Sequence, residues 1–155
     1  MNVGELIFCI RDDDSIIPII ANKVYQIVKI TDNMVFIDLD QTIGYNNSDI
    51  KEFFKPLSDI IQDLKIKTFN KKPKEQIKEL IPYIYWDSEN ECFLLSTEII
   101  QLYRLSPDYQ FIIRVVGIIL DLMNNMNIDE LDQFYTLEWD YLWDKIGEQI
   151  NEKFN

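Results

Sequence analysis

Short apolar runs, separated by polar turns, dominate the N-terminal part of the chain. Glu5 to Ile10 is one such run, and Lys23 to Ile30 is a second, rich in β-branched and aromatic residues. Met34 to Leu39 is a third, set off by the turn residues Thr31, Asp32 and Asn33. Gln41 to Tyr45 reads as a short partner strand. Between the first two runs, Arg11 to Asn22 holds Asp12, Asp13, Asp14, Ser15 and Pro18, the composition of a long loop. Ser48 then reads as a helix N-cap with Asp49 in the first turn, and Pro56 ends or bends that helix.

Further on the apolar period lengthens. Lys74 to Leu80 forms a short helix behind Pro73. Tyr83 to Trp86 and Glu91 to Leu95 flank Asp87-Ser88-Glu89-Asn90, a hairpin signal. Ser96 is a candidate cap for a helix over Thr97 to Leu105. Ser106-Pro107-Asp108 predicts a helix from Pro107 to about Asn125, with Pro at the first position. Its residues Phe111, Val115, Ile118 and Leu122 form one stripe, and Ile112, Val116, Ile119, Met123 and Met126 the next. Gln110, Arg114, Gly117 and Asp121 leave only a narrow non-apolar strip, which makes this the central helix of a bundle. A last helix runs from about Leu131 or Leu137 to Lys153, with Trp139, Trp143, Ile146 and Ile150 on one face. The expected class is α+β: a small N-terminal antiparallel sheet over residues 1–60, a basic linker with a short helix over 61–80, and a β-hairpin plus helical bundle over 81–155.

Charge sharpens this division. The 155 residues include 15 Lys or Arg against 27 Asp or Glu, a net charge of −12, and no histidine. Residues 1–60 hold ten acids and five bases, residues 61–80 three acids and six bases, and residues 81–155 fourteen acids and four bases. A nucleic-acid binder needs clustered positive charge, and the balance here is the reverse. Histidine bases, histidine triads and histidine-ligated zinc are excluded. Cys9 and Cys92 are far apart and lack CxxC spacing, which points to thiols in a reducing cytoplasm. The start of the chain has no basic leader. The longest apolar stretch, Phe111 to Met123, is interrupted by Arg114 and is short of the roughly 20 residues a membrane span needs. A cytoplasmic location without membrane attachment is expected.

Two strings resemble known families. Phe8-Cys9-Ile10, the acidic loop, Asn22-Lys23-Val24-Tyr25-Gln26-Ile27, Val35-Phe36-Ile37-Asp38, Ile43-Gly44-Tyr45 and Phe53-Phe54 together resemble small SH3-like β-barrel modules of uncharacterised Gram-positive and phage proteins. Ala21-Asn22 stands where those modules usually have Gly, and Gln41 where Gly often follows the acidic turn. The resemblance covers about the first third of the chain and implies a binding or structural module rather than chemistry. These residues also fit the plain core of a small sheet. Separately, Val35-Phe36-Ile37-Asp38-Leu39-Asp40-Gln41-Thr42 resembles the first motif of haloacid-dehalogenase-like phosphohydrolases. That resemblance implies Asp38 as phosphoryl-accepting nucleophile and Asp40 as general acid/base beside a magnesium ion, because carboxylates at i and i+2 project alike from a strand end.

The rest of that constellation is not evident, and no other catalytic or metal set is complete. Asp12, Asp13 and Asp14 diverge in an extended chain and fit a solvated loop better than a cation site. The C-terminal region carries a different pattern. Asp140, Asp144 and Glu148 stack at i, i+4 and i+8, Glu138 precedes them, and Trp139 and Trp143 are interleaved. Like charges four apart cost a helix a few tenths of a kcal/mol, roughly, per pair. Aromatic anchors beside carboxylates suit a basic protein surface; an ordinary amphipathic helix accounts for the same pattern. The leading expectation is a non-enzymatic acidic protein of the inhibitor, immunity or phage counter-defence type. It would need no cofactor, make no direct contact with nucleic acid, and bind a toxin or nucleic-acid-binding enzyme through its basic surface. The alternative is the Asp38/Asp40 phosphohydrolase.

Overall fold

The first strand, β1 (Leu6–Cys9), has Ile7, Phe8 and Cys9 all buried, because it is paired on both sides. A computed structural model describes residues 1–12, 19–38, 43–104, 106–136 and 139–154. β2 (Val24–Ile30), β3 (Met34–Ile37), β4 (Ile43–Asn46) and β5 (Phe54–Pro56) complete an antiparallel sheet in the order β4-β3-β2-β1-β5. Period-two alternation puts Tyr25 and Ile27 of β2, and Val35 and Ile37 of β3, into one core with Ile50 and Phe54. The register slips between Ile27 and Lys29, so Val28 is the extra residue and lies exposed. Such a bulge adds twist, and the sheet is curled into half a barrel.

The helix after β4 is α1 (Asn47–Phe53). Its N-cap is Asn46, whose side chain accepts the Asp49 N–H at 2.8 Å; Ser48, expected in that role, lies inside the first turn. Phe54 then turns back beside β1, with Cys9 opposite Phe54 and Ile7 opposite Pro56. Proline is tolerated there because β5 is an edge strand. Phe54 seals the core, with its ring edge-on to Tyr25 and Tyr45 at centroid distances of 5.8 and 5.6 Å. Gly44 faces a crowded spot, since a Cβ there would lie 2.6 Å from Met34 Cε and 2.9 Å from Phe36 Cε1.

The chain divides into two compact units, Met1–Ile66 and Lys67–Asn155. α2 (Leu57–Thr68) and α3 (Pro73–Leu80) make much of residues 61–80 helical, where sequence predicts a linker with one short helix. In the second unit a single 3-10 turn (Ile81–Tyr83) leads to the hairpin β6 (Tyr85–Asp87) and β7 (Cys92–Leu94). Next come α4 (Thr97–Gln101), α5 (Tyr109–Asn124), α6 (Ile128–Thr136) and α7 (Trp139–Phe154). The fold is α+β, as expected.

α5 is the hub of the second unit, touched by α3, α7 and β7. Ile112, Val115, Val116, Ile118, Ile119 and Met123 are buried, while Gln110, Arg114, Gly117 and Asp121 form the exposed strip. It starts later than the Ser-Pro-Asp signal predicts. The Ser106 hydroxyl accepts the Asp108 N–H at 3.2 Å and the Ser106 carbonyl accepts the Tyr109 N–H. This turn consumes Pro107, and Asp108 becomes the N-cap residue. Of the two starts expected for the final helix the later one fits, since α7 begins at Trp139, and α6 is a separate helix before it. No helix among the described residues is long and apolar enough to cross a membrane.

Candidate protein-interaction surface

Asp38 lies just after β3, and its carboxylate accepts the Gln26 N–H at 2.7 Å while its own N–H donates to the Gln26 carbonyl at 3.0 Å. It extends the β2–β3 ladder by one exposed rung. Asp40 lies outside the described residues. The doubly wound parallel sheet that a phosphohydrolase motif implies is not the architecture around Asp38, where every described pairing is antiparallel. Asp12 is also engaged locally, accepting the Ala21 N–H at 2.6 Å; Asp13 and Asp14 lie outside the described residues. Among the described residues no three Cys, Asp or Glu side chains gather as a metal set. The Cys9 thiol donates to the Arg11 carbonyl at 3.1 Å, and neither Cys9 nor Cys92 is in a disulfide.

The α7 stripe is partly neutralised from within. Lys74 of α3 donates to Asp140 at 2.6 Å. The hydrogen bond to Lys74, then its charge, holds the Asp140 carboxyl below its ordinary value. The same hydrogen bond to Asp140 holds Lys74 above its own. Asp144 and Glu148 are exposed, and Glu138 lies outside the described residues. Trp139 and Trp143 are half-buried rather than displayed. Their centroids are 5.7 Å apart, and Trp143 meets Phe111 of α5 at 6.2 Å. Leu142 and Ile146 form the buried core of this face; the Ile150 side chain lies outside the described set. Trp143 thus belongs to the α5–α7 contact, and Trp139 packs on Trp143.

Sequence reasoning missed a cleft of about 840 Å³ between the hairpin, the end of α5 and the start of α6. Its apolar lining is Trp86, Phe93, Met123, Met126, Ile128 and Leu131, and Glu91 and Asp129 stand in the same wall. Trp86 is 46 % exposed and Ile128 77 % exposed. Trp86 braces Phe93 edge-on at 5.0 Å. The hairpin is built locally: the buried Asp87 carboxylate accepts the Glu89 N–H at 3.0 Å and the Asn90 side-chain amide at 2.9 Å. Glu91 comes next to this turn at φ 51°, a left-handed conformation that favours glycine. Nearby, burial and then the Asp87 and Glu98 carboxylates push the Tyr85 hydroxyl up.

Asn124 fastens the hairpin to α5. Its side-chain oxygen accepts the Phe93 N–H at 2.6 Å, and its side-chain nitrogen donates to the Phe93 carbonyl at 3.2 Å. The amide acts as a one-residue strand on the outer edge of β7. The opening of α6 is likewise capped, with the Glu130 N–H donating to Asn127 Oδ1 at 2.8 Å and the Leu131 N–H to the Asn127 carbonyl. The cleft therefore offers apolar side chains and carboxylates. The backbone groups at Phe93, Glu130 and Leu131 are already satisfied.

No family model, curated protein or solved structure matches the chain.

Proposed function

We propose that this chain is a non-enzymatic acidic protein that binds a basic surface of a partner protein, as an inhibitor, immunity or phage counter-defence factor does. One observation carries the reading. Residues 79–103 and 115–144 contain no Lys or Arg, while Glu89, Glu91, Asp129, Glu130, Asp132 and Asp144 within them are all exposed. A surface of one sign raises the encounter rate with an oppositely charged partner by about 10- to 1,000-fold and makes binding salt-dependent. At the edges of this field Lys71 pairs with Glu79 and Lys74 with Asp140.

The N-terminal unit fits a structural or auxiliary binding role. In this reading it is an SH3-like module, whose order of strand, connection, strand carrying Tyr25 and strand running into Asp38 is the one the resemblance calls for. Such a module supplies a rigid platform and no chemistry of its own.

The test is affinity capture with the full chain at about 50 mM and about 500 mM salt, conditions that bracket strong and weak screening. A partner retained at low salt, released at high salt, and lost when Asp129, Asp144 and Glu148 are changed to Lys supports the reading. A partner that ignores both salt and charge reversal overturns it.

A further inference from the structure

We propose that the cleft between β6–β7 and the α5–α6 junction is the seat for a positively charged amphipathic helix of the partner. This rests on the acidic-binding reading and names the docking site and the shape of what docks. Three features of the cleft determine the occupant.

The first is apolar exposure. Ile128 is 77 % exposed and Trp86 46 % exposed, and half-buried Met126 lies in the same cleft above the buried Met123. The flexible thioether of Met126 suits a surface that adapts to an inserted side chain. A volume of about 840 Å³ lies within the roughly 300–1,000 Å³ of clefts that take a ligand, and has room for several side chains.

The second is charge. Both chain segments that build the cleft lack Lys and Arg, and among the described residues that line it none is a base, whereas Glu91 and Asp129 are acids. Glu91 is instructive. Glycine would adopt its φ of 51° without strain, yet a carboxylate stands there, in the wall of the cleft. A second copy of this chain, with a net charge of −12, is repelled from such a site.

The third is the state of the backbone. An added strand needs unpaired edge groups, and Asn124 already bonds both groups of Phe93. A helix satisfies its own backbone and presents only side chains. An amphipathic helix with apolar residues at i, i+3 or i+4, and i+7, flanked by Lys or Arg, matches both the apolar floor and the acidic wall.

The experiment uses the full chain and three fluorescein-labelled peptides of about 16 residues, long enough for four helical turns. One is a Lys/Leu/Trp amphipathic helix, one has the same composition scrambled to destroy the stripe, and one replaces Lys with Glu. Fluorescence anisotropy reads affinity at low and high salt. The amphipathic basic peptide is expected to bind, and the other two to bind at least tenfold more weakly. Ile128→Ser removes exposed apolar surface without changing charge and should weaken binding about tenfold. Glu91→Gly should weaken it about threefold or more at low salt while the thermal midpoint does not fall, which separates a binding effect from a folding one. Asp63→Asn, an equal change of charge in the N-terminal unit, should leave affinity within twofold.

Equal binding of the scrambled peptide, or affinity within twofold after Ile128→Ser, overturns the proposal. So does a wild-type dimer that Ile128→Ser dissociates in sedimentation, since the cleft is then a self-contact. If binding is salt-dependent but only reversal of Asp144 and Glu148 removes it, the docking site fails and the acidic-binding reading stands. If no basic peptide binds and no salt-sensitive partner is captured, both fail.

Discussion

Replacing Asn124 with Ala tests whether one side chain holds the wall of the cleft. The substitution removes the 2.6 Å bond from the Phe93 N–H and the 3.2 Å bond to the Phe93 carbonyl. Each such bond contributes about 0.5–1.5 kcal/mol net, and both lie at an exposed edge where water replaces them, so the low half of that range applies. The combined loss is about 1–2 kcal/mol. Because β7 otherwise pairs only with three-residue β6, the loss should appear first as local opening of the hairpin. The Phe93 amide is the direct reporter: its hydrogen exchange should accelerate about five- to thirtyfold, the factor that corresponds to 1–2 kcal/mol. For a chain of this length the thermal midpoint should fall by about 2–8 °C. Asn124→Asp adds a second check. Ionised, it sets a carboxylate oxygen against the Phe93 carbonyl; protonated, it restores a donor. Its deficit relative to wild type should therefore shrink as the solution is acidified through the carboxyl's pKa. Exchange at Phe93 within twofold of wild type in Asn124→Ala would refute the view that this amide closes the β7 edge.

Three further outcomes are expected. Asp38→Asn keeps the acceptor for the Gln26 N–H and should leave stability nearly unchanged, whereas Asp38→Ala should cost about 0.5–2 kcal/mol in urea unfolding; if a Mg²⁺-dependent phosphatase assay detects turnover that Asp38→Asn abolishes, the non-enzymatic reading is wrong. Phe54→Ala empties the site between Tyr25 and Tyr45 and should destabilise the N-terminal unit by about 3–5 kcal/mol, measurable by denaturant titration; a loss below about 1 kcal/mol contradicts its placement in the core. The Asp140 carboxyl should titrate by NMR below its ordinary value of 3.8, and Lys74→Ala or high salt should move it back up. The depressed acid stabilises the fold above its unfolded value, and that contribution disappears as the pH falls through the folded value. The raised Lys74 contributes below 10.5, and its share is lost as the pH rises through its own folded value.

Local pattern alone carried the elements whose signal repeats along the chain. The apolar, β-branched and aromatic runs Lys23 to Ile30 and Met34 to Leu39 marked strands, and Thr31, Asp32 and Asn33 the turn between them, because residue preference and turn chemistry are short-range properties. The exposed strip Gln110, Arg114, Gly117 and Asp121 was visible for the same reason at helical period. α2 carries a helical period in Leu57, Ile60, Ile61 and Leu64, although its lysines at 65 and 67 share the composition of an exposed linker. Phe54–Pro56 was not legible. Three residues around a proline make a strand only because β1 offers an open edge.

The site depended still more on distance. The acidic bias and its position after residue 80 come from composition, and they determine what kind of partner the surface attracts. Only the tertiary structure decided that Lys74 reaches Asp140 across 66 residues, that Trp143 packs against Phe111, and that Asn124 closes on Phe93 across 31 residues. Periodicity records which face of an element is apolar; it holds no information about which other element covers that face. Trp86 lies about forty residues from Met126 and Ile128, so their meeting in one acid-walled cleft exists only after the hairpin, α5 and α6 have packed.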